Sequence, residues 1–201
     1  MKLILASNSP RRKQLLAGLD LPFEVRVKDG IDETFPGDLS VEQVPEWISR
    51  RKAEAYDVAD GEVLITADTV VAVEGKILGK PVTLEEAKDM LHCLSGRTHR
   101  VITGVTLRVR RRTEQGHADD YCNFNAVTEV TFAKLTDEQI DYYVTTYKPL
   151  DKAGAYGIQE WIGYVGVTGI KGSYYNVMGL PVQRLSQALA DFVGIGSEVK
   201  A

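Results

Sequence analysis

A short apolar run at the start of the chain leads directly into a helix-start signal. Residues 2–6 are apolar enough for a buried strand but too few to cross a membrane. Ser9-Pro10 follows at once, and serine is a favoured N-cap while proline suits the first helical position. A buried strand that leads straight into a helix is typical of α/β folds. No secretory signal tolerates the Ser-Asn-Ser-Pro-Arg-Arg sequence after the run, so the sequence predicts a cytoplasmic protein.

Further helix and strand signals alternate along the chain. The predicted helices cover residues 40–56, 83–94, 136–147 and 181–192, and the predicted strands cover residues 23–27, 62–67, 70–73, 101–109 and 127–132. The polar segment 110–120 is predicted to be a mobile loop. These signals indicate a mixed α/β fold with several helices around an elongated sheet. Because no repeat or linker interrupts the chain, we expect one domain over residues 1–201.

The overall charge and the scattered Cys and His residues exclude several classes of function. The net charge is −4, which offers no basic face for polymeric nucleic acid but leaves enough Lys and Arg for a small anion. No apolar run approaches the roughly 20 residues that span a bilayer, so we expect no membrane role. Neither residue type has metal-ligand spacing. We interpret these residues as structural: Cys93, Cys122, His92, His99 and His117.

The first candidate site is the junction between the first strand and the first helix. Free backbone N–H groups and the helix dipole favour an anion at a helix start. Ser7 and Ser9 add hydroxyl groups, and Arg11 and Arg12 add guanidinium groups suited to phosphate. An ordinary capped helix with solvated arginines explains this segment equally well when it is taken alone.

A second candidate site follows a hydrophobic strand, where α/β proteins commonly place reactive groups. Asp68, followed by Thr69, would hold a divalent metal or take a proton from water, and Lys80 in a Gly-Lys-Pro motif would neutralise phosphate. Glu33 offers another carboxylate and Lys52 another cation. Either of these two residues, taken alone, is interpreted as a solvated surface residue.

A third candidate site lies in the segments 151–159 and 172–181, which are rich in Gly, Tyr and Asn. The glycines permit backbone conformations that other residues resist. Gln159 carries both a donor and an acceptor, which suits reading the edge of a nucleobase. A plain surface loop seldom combines these residue types, so these segments favour a binding role.

Together these segments resemble the Maf family of nucleotide pyrophosphatases, and the resemblance covers nearly the whole chain. Several motifs in the same order are far more specific than any one of them. The motifs are Ala6-Ser-Asn-Ser-Pro-Arg-Arg12, Asp32-Glu33, Arg51-Lys-Ala53, Ala67-Asp-Thr69, Gly79-Lys-Pro81, Leu94-Ser-Gly-Arg-Thr-His99 and the segments 151–159 and 176–181. The family is similar in fold to inosine triphosphate pyrophosphatases, which implies two lobes with a central cleft. Many members are dimers, so a homodimer is one state to test.

The resemblance implies hydrolysis of a nucleoside triphosphate to the nucleoside monophosphate and pyrophosphate. It places Asp68 in the proton-acceptor position, with Glu33 and Asp68 near Mg²⁺ or Mn²⁺ and the attacking water. The implied triphosphate ligands are Ser7, Arg11, Arg12, Lys52 and Lys80. Arg12, Thr69 and Gln159 match the positions that divide the family's branches, and Thr69 indicates the pyrimidine branch. The implied substrates are therefore dTTP and UTP, and removal of modified nucleotides would fit the same chemistry.

Two alternatives to this interpretation stay open. One is a 7-methyl-GTP pyrophosphatase of the same family, and the other is a non-catalytic nucleotide-binding regulator of cell division. Every charged position expected of the enzyme is present, which favours catalysis. Two segments depart from the family pattern, namely the charged stretch 108–121 and Trp161-Ile162 after Gln159. They bear on base specificity more than on the chemistry.

Overall fold

The computed structural model describes residues 1–114 and 116–195 of the chain. Its strands are β1 (Lys2–Leu5), β2 (Phe23–Val25), β3 (Glu62–Val73), β4 (Lys76–Leu78), β5 (Thr98–Thr113), β6 (Gly116–Phe132) and β7 (Val167–Lys171). Its helices are α1 (Pro10–Ala17), α2 (Gln43–Glu54), α3 (Leu84–Leu94), α4 (Asp137–Tyr147), α5 (Trp161–Gly166), α6 (Tyr174–Met178) and α7 (Val182–Val193), with a short 3-10 turn at Ala153–Ala155. The predicted mixed α/β class is confirmed.

One sheet contains these seven strands in the order β2-β1-β3-β5-β6-β7, with β4 paired to β3. Strand β1 runs parallel to both β2 and β3, whereas β4 is antiparallel to β3 and β7 is antiparallel to β6. Leu3, Ile4 and Leu5 are buried in succession because a strand inside a parallel sheet has both of its faces covered. This explains why the start of the sequence is a continuous apolar run.

The chain divides into two compact units. Unit 1 comprises residues 1–68, 103–126 and 179–201, and unit 2 comprises residues 69–102 and 127–178. In unit 1, one buried cluster is formed by Ile4, Ala6, Ala53, Tyr56, Val58 and Leu64. In unit 2, α3 packs against α4, and Leu91, Leu94 and Ile140 are fully buried. The assignment of residues 1–201 to a single domain stays a prediction.

Three predicted helix starts are confirmed at the level of the cap itself. The side chains of Ser9, Thr83 and Thr136 accept hydrogen bonds from backbone N–H groups three residues later. Gln139 completes the capping box of α4 by accepting a hydrogen bond from the backbone N–H of Thr136. Each cap satisfies donors that a helix start otherwise leaves unpaired, which is why the sequence signal is reliable at these positions.

The predicted start of α2 at Ser40 is wrong by about one turn. The Gln43 side chain does accept a hydrogen bond from the Ser40 backbone N–H at 2.9 Å, but the helix begins only at Gln43. Pro45 explains the shift, because proline has no N–H and is tolerated only in the first turn of a helix. A helix that began soon after Ser40 would place Pro45 in its second turn.

The mobile loop predicted at residues 110–120 is also wrong, because β5 continues to Thr113 and β6 begins at Gly116. A half-buried strand is recognised by alternating apolar and polar residues. In this part of β5 and β6, ion pairs between the two strands are found instead of apolar residues on one face. Arg108 pairs with Asp119 at 2.5 Å, and Arg111 pairs with Asp120 at 2.9 Å. Both faces are polar there, so the sequence lacks the period-two signal that would identify the strands.

The segment after Gln159 contains short elements that the sequence did not predict. Helix α5, strand β7 and helix α6 span only six, five and five residues. Elements this short carry too little periodicity to be recognised from sequence. Within residues 1–114 and 116–195, no helix combines the length and apolar character that a bilayer crossing requires.

Candidate active site

The first strand brings Ser7 beside the middle of β3. The Ala6 N–H donates to the Ile65 carbonyl at 2.9 Å, and β1 ends opposite Ile65. The sequence predicted that Asp68 follows a strand, but β3 continues through Asp68 to Val73, so Asp68 lies within the strand. Ser7 is buried, and its hydroxyl accepts a hydrogen bond from the Ser9 N–H at 3.2 Å. Because Leu5 pairs with Ile65, the residues that follow β1 run alongside the part of β3 that contains Asp68.

Arg12 lies in the first turn of α1 and belongs to a cluster of charged side chains that also contains Glu33, Lys52 and Asp68. Its Nε donates to the Gly179 carbonyl at 2.8 Å, which ties α1 to the segment that precedes α7. Burial lowers the pKa of Arg12, while the carboxylates of Asp68 and Glu33 act in the opposite direction and the neighbouring Arg11 adds to the lowering. Arg12 is therefore within electrostatic range of both carboxylates and of Arg11.

The centre of the cluster is Lys52, which lies between two carboxylates. Its Nζ is 2.7 Å from Asp68 Oδ1 and 3.0 Å from Glu33 Oε1. The side chains of Lys52 and Asp68 are only 15% and 13% exposed, whereas Glu33 is 51% exposed. The Lys52–Asp68 pair is thus largely shielded from solvent, where an ion pair is stronger than on an open surface. The structure brings together Glu33 and Asp68, which are 35 positions apart in the sequence, with Lys52 between them. Taken alone, Glu33 and Lys52 were interpreted as solvated surface residues.

Buried hydroxyl groups attach α2, the helix that carries Lys52, to β3 and β5. The Thr66 hydroxyl donates to the Ser49 carbonyl at 2.7 Å, and the hydroxyls of Ser49 and Thr106 lie 2.9 Å apart. All three side chains are fully buried. Because a buried polar group that loses its partner costs about 1–3 kcal/mol, these bonds favour one placement of α2 on the sheet. That placement aims Lys52 at Asp68.

Arg108 fixes the other end of α2 and was not identified as a site residue from the sequence. Its Nη1 donates to the carbonyls of Ala53 and Tyr56 at 2.8 and 2.7 Å, at the C-terminal end of the helix, where carbonyl groups have fewer partners within the helix. The only sequence signal for this role is an arginine that stands between two core residues of β5, Leu107 and Val109. Arg108 thereby holds the turn that contains Lys52.

The remaining predicted residues, Thr69, Lys80 and Gln159, belong to unit 2. Thr69 follows Asp68 within β3 and is half-buried, whereas Lys80 and Gln159 are exposed. The loop that carries Lys80 and the loop that leads to Gln159 are joined by a hydrogen bond from the Gly154 N–H to the Gly79 carbonyl at 2.9 Å. Gly154 has φ +68°, and an added Cβ would lie 2.9 Å from Val71, so this junction requires glycine.

His99 and the cysteines play no part in these clusters. His99 is 1% exposed, its Nε2 lies 2.8 Å from the Tyr156 hydroxyl, and its ring meets Phe132 edge-on. Cys93 and Cys122 are free thiols. These contacts agree with the structural role that the sequence predicted for His99.

The burial of His99 predicts a loss of stability in acid. Burial lowers the pKa of His99 from 6.5 to about 4, so between these values the unfolded chain binds a proton that the folded chain does not. Stability is therefore complete above pH 6.5 and falls as the pH decreases toward 4. We expect this residue to cost about 2 kcal/mol at pH 5 relative to pH 8, measured by urea unfolding. The difference should shrink in His99→Gln and persist in the exposed control His92→Gln.

Comparison with known proteins places the chain in a family. A family model described as Maf-like protein matches residues 2–192. A dTTP/UTP pyrophosphatase of Phocaeicola vulgatus is 56% identical over 186 residues, which are 92% of this chain and 92% of that protein. A dTTP/UTP pyrophosphatase of Parabacteroides distasonis is 54% identical over 193 residues, which are 95% of this chain and 96% of that protein.

Among solved structures, a HAM1 protein from Coxiella burnetii aligns with a TM-score of 0.47 and 16% identity, over 95% of this chain and 99% of that one. The family model covers nearly the whole chain, and the two relatives share more than half of their residues with it. The chain belongs to the Maf family, as the sequence motifs indicated.

Proposed function

We propose that this chain hydrolyses nucleoside triphosphates to the monophosphate and pyrophosphate, with dTTP and UTP as preferred substrates. The names of the relatives above 50% identity support this reaction. The observation that carries the proposal is the cluster of Asp68, Lys52 and Glu33, in which Asp68 lies within β3 and Lys52 on α2. It combines carboxylates able to take a proton or a metal with a cation able to offset phosphate charge.

The triphosphate itself requires several cations, because its negative charges repel an attacking water that is losing a proton. We assign this task to Ser7, Arg11, Arg12, Lys52 and Lys80. Arginine recognises phosphate through paired hydrogen bonds, whereas lysine acts as a point charge. Arg12 and Lys52 are the best supported of these residues, since both interact with the carboxylates of Asp68 and Glu33.

In the proposed reaction Asp68 accepts the proton of the attacking water. Lys52 Nζ binds Asp68 through Oδ1, at 2.7 Å. We therefore assign Oδ2 to the proton. Because Lys52 restrains the carboxylate on one side, the base is oriented before the substrate arrives, which is the condition for efficient proton transfer.

The proposal includes a divalent cation, Mg²⁺ or Mn²⁺, held by Asp68 and Glu33. Oxygens of both side chains already converge on one positive group, the Lys52 ammonium, so they also suit a small hard cation. Among the described residues there is no cluster of three or more ligating side chains. Mg²⁺ is commonly held by one or two carboxylates, together with water and substrate phosphates. Such an ion would offset triphosphate charge and polarise the phosphorus–oxygen bonds.

We propose that Gln159, with Thr69 and Arg12, determines which base is accepted. Gln159 is exposed at the end of the segment 151–159, and its amide presents both a donor and an acceptor. Replacing Gln159 with Ala should lower kcat/KM for UTP about tenfold, because one hydrogen bond to the base contributes on the order of 1 kcal/mol. The measurement is steady-state pyrophosphate release with UTP and with CTP. Equal losses for both nucleotides would contradict a role in base choice.

Pyrophosphate release across a panel of triphosphates tests the proposed function as a whole. Purified protein is assayed with Mg²⁺ or Mn²⁺ against dTTP, UTP, the purine nucleotides and 7-methyl-GTP. Preference for dTTP and UTP is the expected result. Preference for 7-methyl-GTP would instead identify the chain as a 7-methyl-GTP pyrophosphatase of the same family. No release from any triphosphate would favour a non-catalytic regulator. Light scattering on the same sample tests the proposed homodimer.

A further inference from the structure

The turn that presents Gln159 is held by a network of side chains in which Tyr143 and Lys152 are buried and Glu160 is partly exposed. The Glu160 N–H donates to the Gly157 carbonyl at 2.9 Å, so residues 157–160 form a hydrogen-bonded turn with Gln159 at its third position. Helix α5 begins at Trp161, directly after the last residue of this turn. The backbone on both sides of Gln159 is thus defined, while its side chain remains exposed.

Tyr143 of α4 lies at the centre of this network. Its hydroxyl accepts a hydrogen bond from the Gly157 N–H at 3.0 Å and donates a short one to Glu160 Oε2. One phenol group therefore binds the first and the last residue of the turn. Tyr143 is fully buried, and burial together with the Glu160 carboxylate raises its pKa, so the hydroxyl keeps the proton that it donates.

A buried lysine completes the network. Lys152 Nζ lies 3.0 Å from Glu160 Oε1 and 2.7 Å from Asp151 Oδ1, and the Lys152 side chain is only 8% exposed. Lys152 is buried whereas Glu160 is 26% exposed, so loss of the Glu160 carboxylate would leave a buried ammonium without this partner. Glu160 is thereby held from two directions, by the Tyr143 hydroxyl on one oxygen and by the Lys152 ammonium on the other.

Two glycines let these groups approach the backbone of the turn. A Cβ at Gly157 would lie 2.7 Å from Glu160 Cδ and 2.9 Å from Lys152 Cε, and a Cβ at Gly163 would lie 2.0 Å from the Ile158 carbonyl oxygen. Neither position has room for a side chain. The turn is therefore packed closely from both sides, and its conformation is determined by more than the network of hydrogen bonds.

We infer that Tyr143, Lys152 and Glu160 are positioning residues that determine base selectivity by holding the turn that presents Gln159. The inference rests on the proposed function, in which Gln159 reads the base. An amide that can move and rotate satisfies either uracil, which offers an acceptor oxygen, or cytosine, which offers an amino donor at the same position. A turn held in one place fixes the position of the Gln159 Cα and the direction in which its side chain leaves the backbone, so the amide approaches the base from one position. Selectivity then depends on residues that never touch the substrate.

The test uses Tyr143→Phe, which removes one hydroxyl group and keeps the aromatic ring. We expect the ratio of kcat/KM for UTP to that for CTP to fall about tenfold toward the ratio of Gln159→Ala, mainly through a higher KM for UTP. Lys152→Met should shift the ratio in the same direction. The matched control is Lys88→Met, which removes an ion pair to Asp141 at 2.8 Å within unit 2 but outside the turn. The control should leave the ratio unchanged.

Hydrogen exchange in the substrate-free protein separates this inference from the proposed function. We expect faster exchange of the Gly157 amide in Tyr143→Phe and no change in Lys88→Met, because only the first variant removes the acceptor of that N–H. Unchanged exchange at Gly157 would overturn the inference even if the wild type is active. Faster exchange with an unchanged UTP to CTP ratio would also overturn it. A wild type that releases no pyrophosphate contradicts the proposed function and removes base selectivity with it.

Discussion

Asp68→Asn should reduce pyrophosphate release by about 10²–10⁴-fold, the usual contribution of one general base. The substitution keeps the size and shape of the side chain and still offers an oxygen to Lys52, which binds Asp68 Oδ1 at 2.7 Å in the wild type. It removes the negative charge that would accept a proton from water and hold a divalent cation. The loss should therefore fall mainly on kcat, with a smaller change in KM.

The matched control for this variant is Asp60→Asn. Asp60 is an exposed carboxylate of unit 1 that pairs with His117 at 2.8 Å, so its loss changes the net charge by the same amount without touching Lys52. We expect wild-type turnover and an unchanged unfolding midpoint in the control. Asp68→Asn should lower the midpoint because Lys52 loses its shielded partner, so turnover is compared at a temperature well below both midpoints. Turnover near the wild-type level in Asp68→Asn would exclude Asp68 as the base.

Gly104→Ala should destabilise the protein by about 3 kcal/mol or more, at the upper end of what overpacking costs. An added Cβ on β5 would lie 2.3 Å from the Pro45 carbonyl carbon and from the Glu46 nitrogen. These atoms belong to the backbone of α2 and cannot rotate away, so strand and helix would have to separate. Urea unfolding gives the change in stability, and turnover should fall as well because α2 carries Lys52.

Gly37→Ala is the control, since no atom lies within 4 Å of a Cβ at that position. Its effect on stability should stay within about 0.5 kcal/mol, as for ordinary surface changes. A Gly104→Ala variant as stable as the control would show that α2 can shift away from β5 without cost. In that case, wild-type turnover would further show that the placement of Lys52 does not depend on this contact.

Local signals in the sequence predicted most of the helices but few of their contacts. Caps at Ser9, Thr83 and Thr136 are read correctly because each cap depends on residues within one turn. The start of α2 was misplaced because Pro45, further along the chain, overrode the capping signal at Ser40. The strands at residues 110–120 were missed because their partners are charges on the neighbouring strand, not an alternation within one segment.

The candidate site shows the same limit. Asp68 and Lys80 stood out because each lies in a short motif, and the motifs together indicated the family. The convergence of Glu33 and Asp68 on Lys52 depends on where α2 lies against the sheet, which is determined by Ser49, Thr66 and Thr106. Such long-range hydrogen bonds leave no periodic pattern. The network around Tyr143 was missed for the same reason, since its hydroxyl contacts residues 14 and 17 positions away.

The hydroxyl groups that attach α2 to the sheet also affect how the chain can tolerate mutation. Apolar packing can adjust to a changed neighbour by small sliding movements, whereas a buried hydrogen bond is satisfied in only a narrow range of geometries. Substitutions in the surrounding core can then alter stability in small steps without redirecting Lys52. Small apolar substitutions that leave these hydroxyl groups and the α2 backbone in place should therefore change stability more than they change the alignment of the Lys52–Asp68 pair.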